Sequence, residues 1–174
     1  KLWNANNGNL VTVLRGHIGD VQSVAFASAS PTLVSGGIDK SIRIWSYDSS
    51  DAAAKQILKS RAIEVRALSA SNDGKYLAAA GSDGFVRIWD NLSGRVLKSW
   101  MAHQGAVLRK ELNGHRLAVR AVALSPDGKM LASAGSDDMV KLWNISSGSN
   151  TKTFIDHSNR VTAVAFSVDS QQLL

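Results

Sequence analysis

Short runs of alternating apolar and polar residues, rich in β-branched side chains, recur along the whole chain between clusters of Gly, Asp, Ser and Asn. A period of two bounded by turn residues predicts β-strands, and no stretch sustains the three-to-four spacing of an amphipathic helix. The runs repeat as phrases. KLW, SIRIW, FVRIW and MVKLW end at Trp3, Trp45, Trp89 and Trp143, spaced by 42, 44 and 54 residues. VQSVAF from Val21 recurs as VRALSA from Val65, VRAVAL from Val119 and VTAVAF from Val161. LVSGGID from Leu33 recurs as LAAAGSD from Leu77 and LASAGSD from Leu131, and turn segments such as Ser71–Gly74 and Ser125–Gly128 join the two phrases. Fourth strands are predicted over Leu10–Arg15, Gln56–Lys59, Val96–Trp100 and Thr151–Ile155.

Each unit therefore reads as strand, Asp-Gly turn, strand, Asp turn, Trp-ending strand, polar turn and outer strand. Four strands in about 43 residues is the arithmetic of a propeller blade, so the fold class is all-β. The phrases resemble the WD40 repeat family through Gly16-His17, Gly114-His115, Ser125–Gly128 and Trp89-Asp90. The Trp-Asp pair is intact only at Trp89; the other tryptophans precede Asn4, Ser46 and Asn144. The expected division is the end of a blade over 1–15, full blades over 21–60, 64–100 and 119–155, and the start of a further blade over 161–174. Residues 101–113 read as an insertion, because VLRKELNGHRLAV over Val107–Val119 partly duplicates VLKSWMAHQGAV over Val96–Val107. It reads as a spacer between blades or as a grafted binding loop. Lys1 falls where Lys141 falls and Leu174 where Ala132 falls, which suggests an arc of a larger ring of about seven blades. The open edges of such an arc favour self-association, and two arcs would make eight blades.

The resemblance also implies specific residues. One His–Ser–Asp–Trp hydrogen-bond chain falls on His17, Ser35, Asp39 and Trp45, and another on His115, Ser133, Asp137 and Trp143. The blade between them has Arg61, Ala79, Asp83 and Trp89 at those positions and should be the softest, unless Arg61 pairs with Asp83. Ser, His and Asp also spell a hydrolase triad, but these serines sit inside strands rather than on a strained turn. His17, His103, His115 and His157 occupy one repeated loop position on different blades, which argues against a shared metal. Gly36-Gly37 lacks a phosphate-loop lysine and a following helix. No catalytic, cofactor or metal site is expected. The family's partner-binding rim maps onto Asp20, Gln22 and Ile38, then Glu64, Arg66 and Ser82, then Ala118, Arg120 and Ser136, then Arg160 and Thr162.

Composition narrows the function classes. The chain has 174 residues, no Cys, and 20 Lys+Arg against 14 Asp+Glu, a net charge of +6. Disulfide frameworks and thiolate sites are excluded. The basic residues are scattered and do not interleave with aromatics, so nucleic acid is disfavoured despite the charge. No apolar run approaches a membrane span and no signal segment is visible, which suggests a cytoplasmic or nuclear protein. The resemblance implies a scaffold that binds partner proteins or peptides without catalysis. Arg66, Arg120 and Arg160 on one rim favour an acidic or phosphorylated peptide. The alternative is a sensor segment of a larger multidomain enzyme or signalling ATPase.

Overall fold

The computed structural model describes residues 1–27, 31–48, 54–59, 64–82, 85–101 and 114–174. Among them the chain forms strands and no helix. Strands β1 (Leu2–Trp3) and β2 (Leu10–Thr12) make an antiparallel pair. Strands β3 (Val21–Ala27), β4 (Thr32–Gly37), β5 (Ser41–Ser46) and β6 (Ala54–Lys59) form a four-stranded antiparallel sheet in chain order. The same meander recurs in β7 (Val65–Ala70), β8 (Tyr76–Gly81), β9 (Phe85–Asp90) and β10 (Val96–Met101). It recurs again in β11 (Val119–Leu124), β12 (Met130–Gly135), β13 (Val140–Asn144) and β14 (Asn150–Phe154). Of the insertion expected over 101–113, Met101 ends β10 and residues 102–113 lie outside the described residues.

Two expected strands come out shorter. The one over Leu10–Arg15 stops at Thr12. The VTAVAF phrase from Val161 is not a regular strand, although its sequence matches β3, β7 and β11. It forms a single bridge, Phe166 to Leu173, supported by reciprocal backbone bonds between Ala165 and Leu174. Its hairpin leaves Val168 91% and Leu174 96% exposed. A two-stranded hairpin with uncovered apolar positions is marginal in water, so the same phrase yields less structure here.

Packing between consecutive sheets builds the core. One cluster joins Val34, Ile42, Ile44 and Leu58 of the first full sheet to Val65, Leu68, Leu77, Ala79 and Trp89 of the second. Another joins Ala67, Ala78, Ala80, Val86 and Ile88 of the second to Val119, Val122, Leu124, Leu131 and Trp143 of the third. The second sheet is thus covered on both faces, and β8 is buried at every position from Leu77 to Gly81. That explains its run of three alanines: small side chains let sheets close from both sides at native density. Serines staple neighbouring inner strands, with Leu68 N–H donating to Ser23 Oγ at 3.0 Å and Leu124 N–H to Ser69 Oγ at 2.9 Å.

The β4–β5 turn places Lys40 at φ 63°, and Asp138 takes the same angle in the β12–β13 turn. The second unit has Gly84 at the matching position of its sequence. A non-glycine residue in the left-handed region carries a steric cost, partly offset by the larger unfolded-state entropy of glycine. Lys40→Gly is therefore expected to raise stability by about 0.5–1 kcal/mol in a urea titration, and a loss of stability would contradict this account of the turn.

Candidate functional site

The two polar chains have closely similar geometry. In the first full sheet, Trp45 Nε1–H donates to Ser35 Oγ at 2.8 Å, and Ser35 Oγ lies 2.7 Å from His17 Nε2. His17 Nδ1 is 2.8 Å from Asp39 Oδ2, and Asp39 also accepts from Ile18 N–H, Ser41 N–H and Ser41 Oγ–H. In the third, Trp143 Nε1–H reaches Ser133 Oγ at 2.8 Å, Ser133 Oγ lies 2.7 Å from His115 Nε2, and His115 Nδ1 is 2.9 Å from Asp137 Oδ1. Arg116 N–H closes that chain on Asp137 Oδ2 at 2.6 Å. The indole and the carboxylate fix the ends of each chain, since the first can only donate and the second can only accept; in the neutral ring of His115 the proton therefore sits on Nδ1, facing Asp137, and Nε2 accepts from the Ser133 hydroxyl. Every group along each chain then has a partner.

Electrostatics agree with that assignment. Burial pushes the His115 pKa below its ordinary 6.5, outweighing the attraction of Asp137. Burial opposes ionisation of Asp39, yet the hydrogen bonds from Ser41, Ile18 and His17 hold its pKa at about 2. The Asp137 pKa is likewise lowered: burial works against the charge, but Arg116 N–H and His115 prevail. Gly135 gives this pair its space. A Cβ there would sit 2.5 Å from Asp137 Oδ1 and 2.7 Å from His115 Nδ1.

The intervening sheet differs. Ala79, buried at 3% exposure, stands where the other sheets have serine, and Trp89 packs above it in the core. Arg61, Asp83 and His103 lie outside the described residues. His157 is exposed at the end of the third unit. Ser35 and Ser133 are buried inside strands, so neither hydroxyl presents itself to a substrate. Among the described residues, no group of three His, Asp or Glu side chains gathers as a metal site requires. No helix among them is long and apolar enough to cross a membrane.

The rim positions are organised by a feature invisible in the sequence. The first strand of each full sheet carries a register shift at one place: Val21/Ser23, Val65/Ala67 and Val119/Ala121. The residue skipped by the ladder is Gln22, Arg66 and Arg120 in turn. A bulge of this kind re-aims its side chain out of the regular pleat. Beside each bulge a backbone bond ties the neighbouring positions: Ile38 N–H to Asp20 C=O at 3.0 Å, Ser82 N–H to Glu64 C=O at 3.2 Å, and Ser136 N–H to Ala118 C=O at 2.9 Å. So Ile38 lies beside Asp20, Ser82 beside Glu64 and Ser136 beside Ala118.

Their side chains differ in availability. Arg66 donates through Nη2 to Glu64 Oε2 at 3.2 Å. Arg120 donates through Nε to Ser136 Oγ at 2.8 Å, which ties down its stem while the residue stays exposed. Arg160 and Thr162 are exposed beyond the third sheet, as are Asp20, Gln22, Ile38 and Ser82. Among the described residues no ion pair engages Arg120 or Arg160. The sequence signal for the bulge was the polar residue after the first valine in VQS, VRA and VRA, which reads equally well as plain alternation.

Known proteins show the same repeats. The family model "WD domain, G-beta repeat" matches residues 8–46, 55–90, 105–144 and 148–174. Pre-mRNA-processing factor 19 homolog 2 of Arabidopsis thaliana is 29% identical over 167 residues, covering 95% of this chain and 30% of that protein. Nuclear distribution protein PAC1 of Arthroderma benhamiae is 31% identical over 186 residues, covering 99% of this chain and 38% of that protein. Human apoptotic protease-activating factor 1 is 31% identical over 170 residues, 97% of this chain but 13% of that protein. The structure of U3-55K superposes with a TM-score of 0.77 at 26% identity, covering 88% of this chain and 45% of that one. The chain spans about a third of the first two relatives' length. With four matched repeats and three four-stranded antiparallel blades, the chain belongs to the WD40 repeat family.

Proposed function

We propose that the chain is a non-catalytic interaction scaffold whose rim binds an acidic or phosphorylated peptide segment of a partner protein. The bulge that recurs at Gln22, Arg66 and Arg120 carries this reading, because it puts the same position of each blade out of the ladder. Arg120, held at its Nε, offers a preorganised fork for a carboxylate or phosphate. Arg160, at the position of Asp20, Glu64 and Ala118, adds a further exposed guanidinium, and Arg66 joins by exchanging Glu64 for a ligand. Asp20 leaves the first full blade acidic at the position where Arg160 stands, which gives a bound peptide a direction. The setting is cytoplasmic or nuclear, as the names of the pre-mRNA-processing and nuclear distribution relatives suggest.

The test is fluorescence anisotropy with an Asp/Glu-rich peptide and a phosphoserine peptide. The triple change Arg66→Ala, Arg120→Ala, Arg160→Ala is expected to weaken binding at least tenfold, since each charge-assisted hydrogen bond is worth about 1.5–3 kcal/mol. It should also flatten the salt dependence. Unchanged affinity and salt dependence, with the strand signal in circular dichroism intact, would overturn the reading. A second reading is that these repeats are the sensor segment of a larger multidomain enzyme or signalling ATPase, favoured by the match that spans 13% of apoptotic protease-activating factor 1. The complete transcript decides it: an adjoining nucleotide-binding domain would support that reading, and repeats alone would remove it.

A further inference from the structure

The three full blades carry different charges at the positions around the bulge. The first presents Asp20, Gln22 and Ile38, the second Glu64, Arg66 and Ser82, and the third Ala118, Arg120 and Ser136. The series runs from an acid alone, through an acid with a base, to a base alone. Neighbouring inner strands are held in this order by Ser23 Oγ and Ser69 Oγ, which accept from Leu68 N–H and Leu124 N–H. The polarity is confined to this row: at the left-handed tips of the adjoining turns, Lys40 and Asp138 carry the opposite signs.

Only the second blade, among the described residues, closes its row with an ion pair. Arg66 Nη2 donates to Glu64 Oε2 at 3.2 Å, and both side chains remain partly exposed. Asp20 has Gln22 two residues on, so its row offers no cation. Arg120 has Ala118 two residues before it and binds Ser136 Oγ instead of a carboxylate. An anion that takes Arg66 displaces Glu64, whose charge stays close by and repels it. For a purely anionic ligand the exchange gains little, because one carboxylate stands in for another. A ligand with a cation beside its anion replaces both partners at once, and no charge is left without its opposite.

On the reading that the rim binds an acidic or phosphorylated peptide, we propose that this peptide is bipolar. Its anionic residues engage Arg66 and Arg120, and a lysine or arginine beside them engages Glu64 and Asp20. Glu64 is then a specificity residue that penalises ligands carrying only negative charge. The chain's net charge of +6 pulls the other way, since bulk attraction favours the more acidic of two ligands. The two effects give opposite orders of affinity.

Fluorescence anisotropy with the full chain separates them. One peptide joins a block of glutamates through a Gly-Ser spacer to a block of lysines, and its control has Gln in place of every Lys. Both are also made with phosphoserine in place of Glu. The bipolar peptide is expected to bind about fivefold tighter than its control, or more, in both series, since a partly exposed ion pair is worth up to about fivefold. Asp20→Asn with Glu64→Gln should erase that preference, raising affinity for the control and lowering it for the bipolar peptide. Lys40→Asn with Asp138→Asn should leave it unchanged. A control that binds as tightly as the bipolar peptide in either series would overturn the bipolar assignment. So would a preference that survives the loss of the Asp20 and Glu64 charges, or one that depends on Lys40 and Asp138, with the strand signal in circular dichroism intact. In these cases the rim reading still stands or falls on its own arginine variants. No binding by any of the peptides would remove the rim reading and the bipolar assignment together.

Discussion

His115→Ala is expected to destabilise the folded chain by roughly 1–3 kcal/mol at neutral pH. The side chain is fully buried, and its removal leaves the Ser133 hydroxyl and the Asp137 carboxylate short of a partner in a dry site. The penalty is desolvation that no new hydrogen bond repays. A pH signature separates this from a simple packing loss. The folded pKa of His115 lies below the unfolded 6.5, so the unfolded state binds more protons. Its contribution is complete above about pH 6.5 and is lost as pH falls through that value towards the folded pKa. A second decline begins below pH 3.8, where Asp39, held at about 2, and Asp137 must be protonated. The variant should lack the first decline and keep the Asp39 share of the second. Urea titrations at pH 7.5 and pH 5 measure this. The gap between wild type and variant should narrow at pH 5; a constant gap would mean that the ring is not held neutral.

Much of this architecture was legible in the sequence because each blade repeats the same solution. The phrases ending at Trp45, Trp89 and Trp143 became β5, β9 and β13, and the partners of His17 and His115 lie where the repeat puts them. What escaped is set by neighbours, not by the phrase. VTAVAF follows the pattern of VRAVAL, yet only the latter belongs to a four-stranded sheet, and only it forms a full strand. The bulge at Arg66 and Arg120 is hidden because an inserted residue and an outward-facing residue look alike in an alternating pattern. The staples from Ser23 and Ser69 fall at different positions of their phrases, so no periodicity marks them. A polar side chain in an apolar strand was the one available hint.

Leu77→Ala should have the largest effect of any single truncation considered, about 2–5 kcal/mol. Leu77 is fully buried, stands opposite Trp89 in the ladder, and packs with Val34, Ile42 and Val65 between the first two full sheets. Two rigid sheets fix the walls of this site, so the cavity cannot collapse and the loss includes both transfer and void. This blade also depends on packing more than the others do, since Ala79 replaces the serine of the polar chain. In an array where each blade touches only its neighbours, the change removes interface energy at one junction and leaves the others intact. Leu33, the matching residue of the first sheet, is 8% exposed at the uncovered end of the arc. Its change to Ala should cost less. Urea midpoints for the two variants test the order, with the slope m unchanged if only stability has moved. A loss at Leu77 below about 1 kcal/mol, or one smaller than at Leu33, would mean that the first two blades do not pack through this residue.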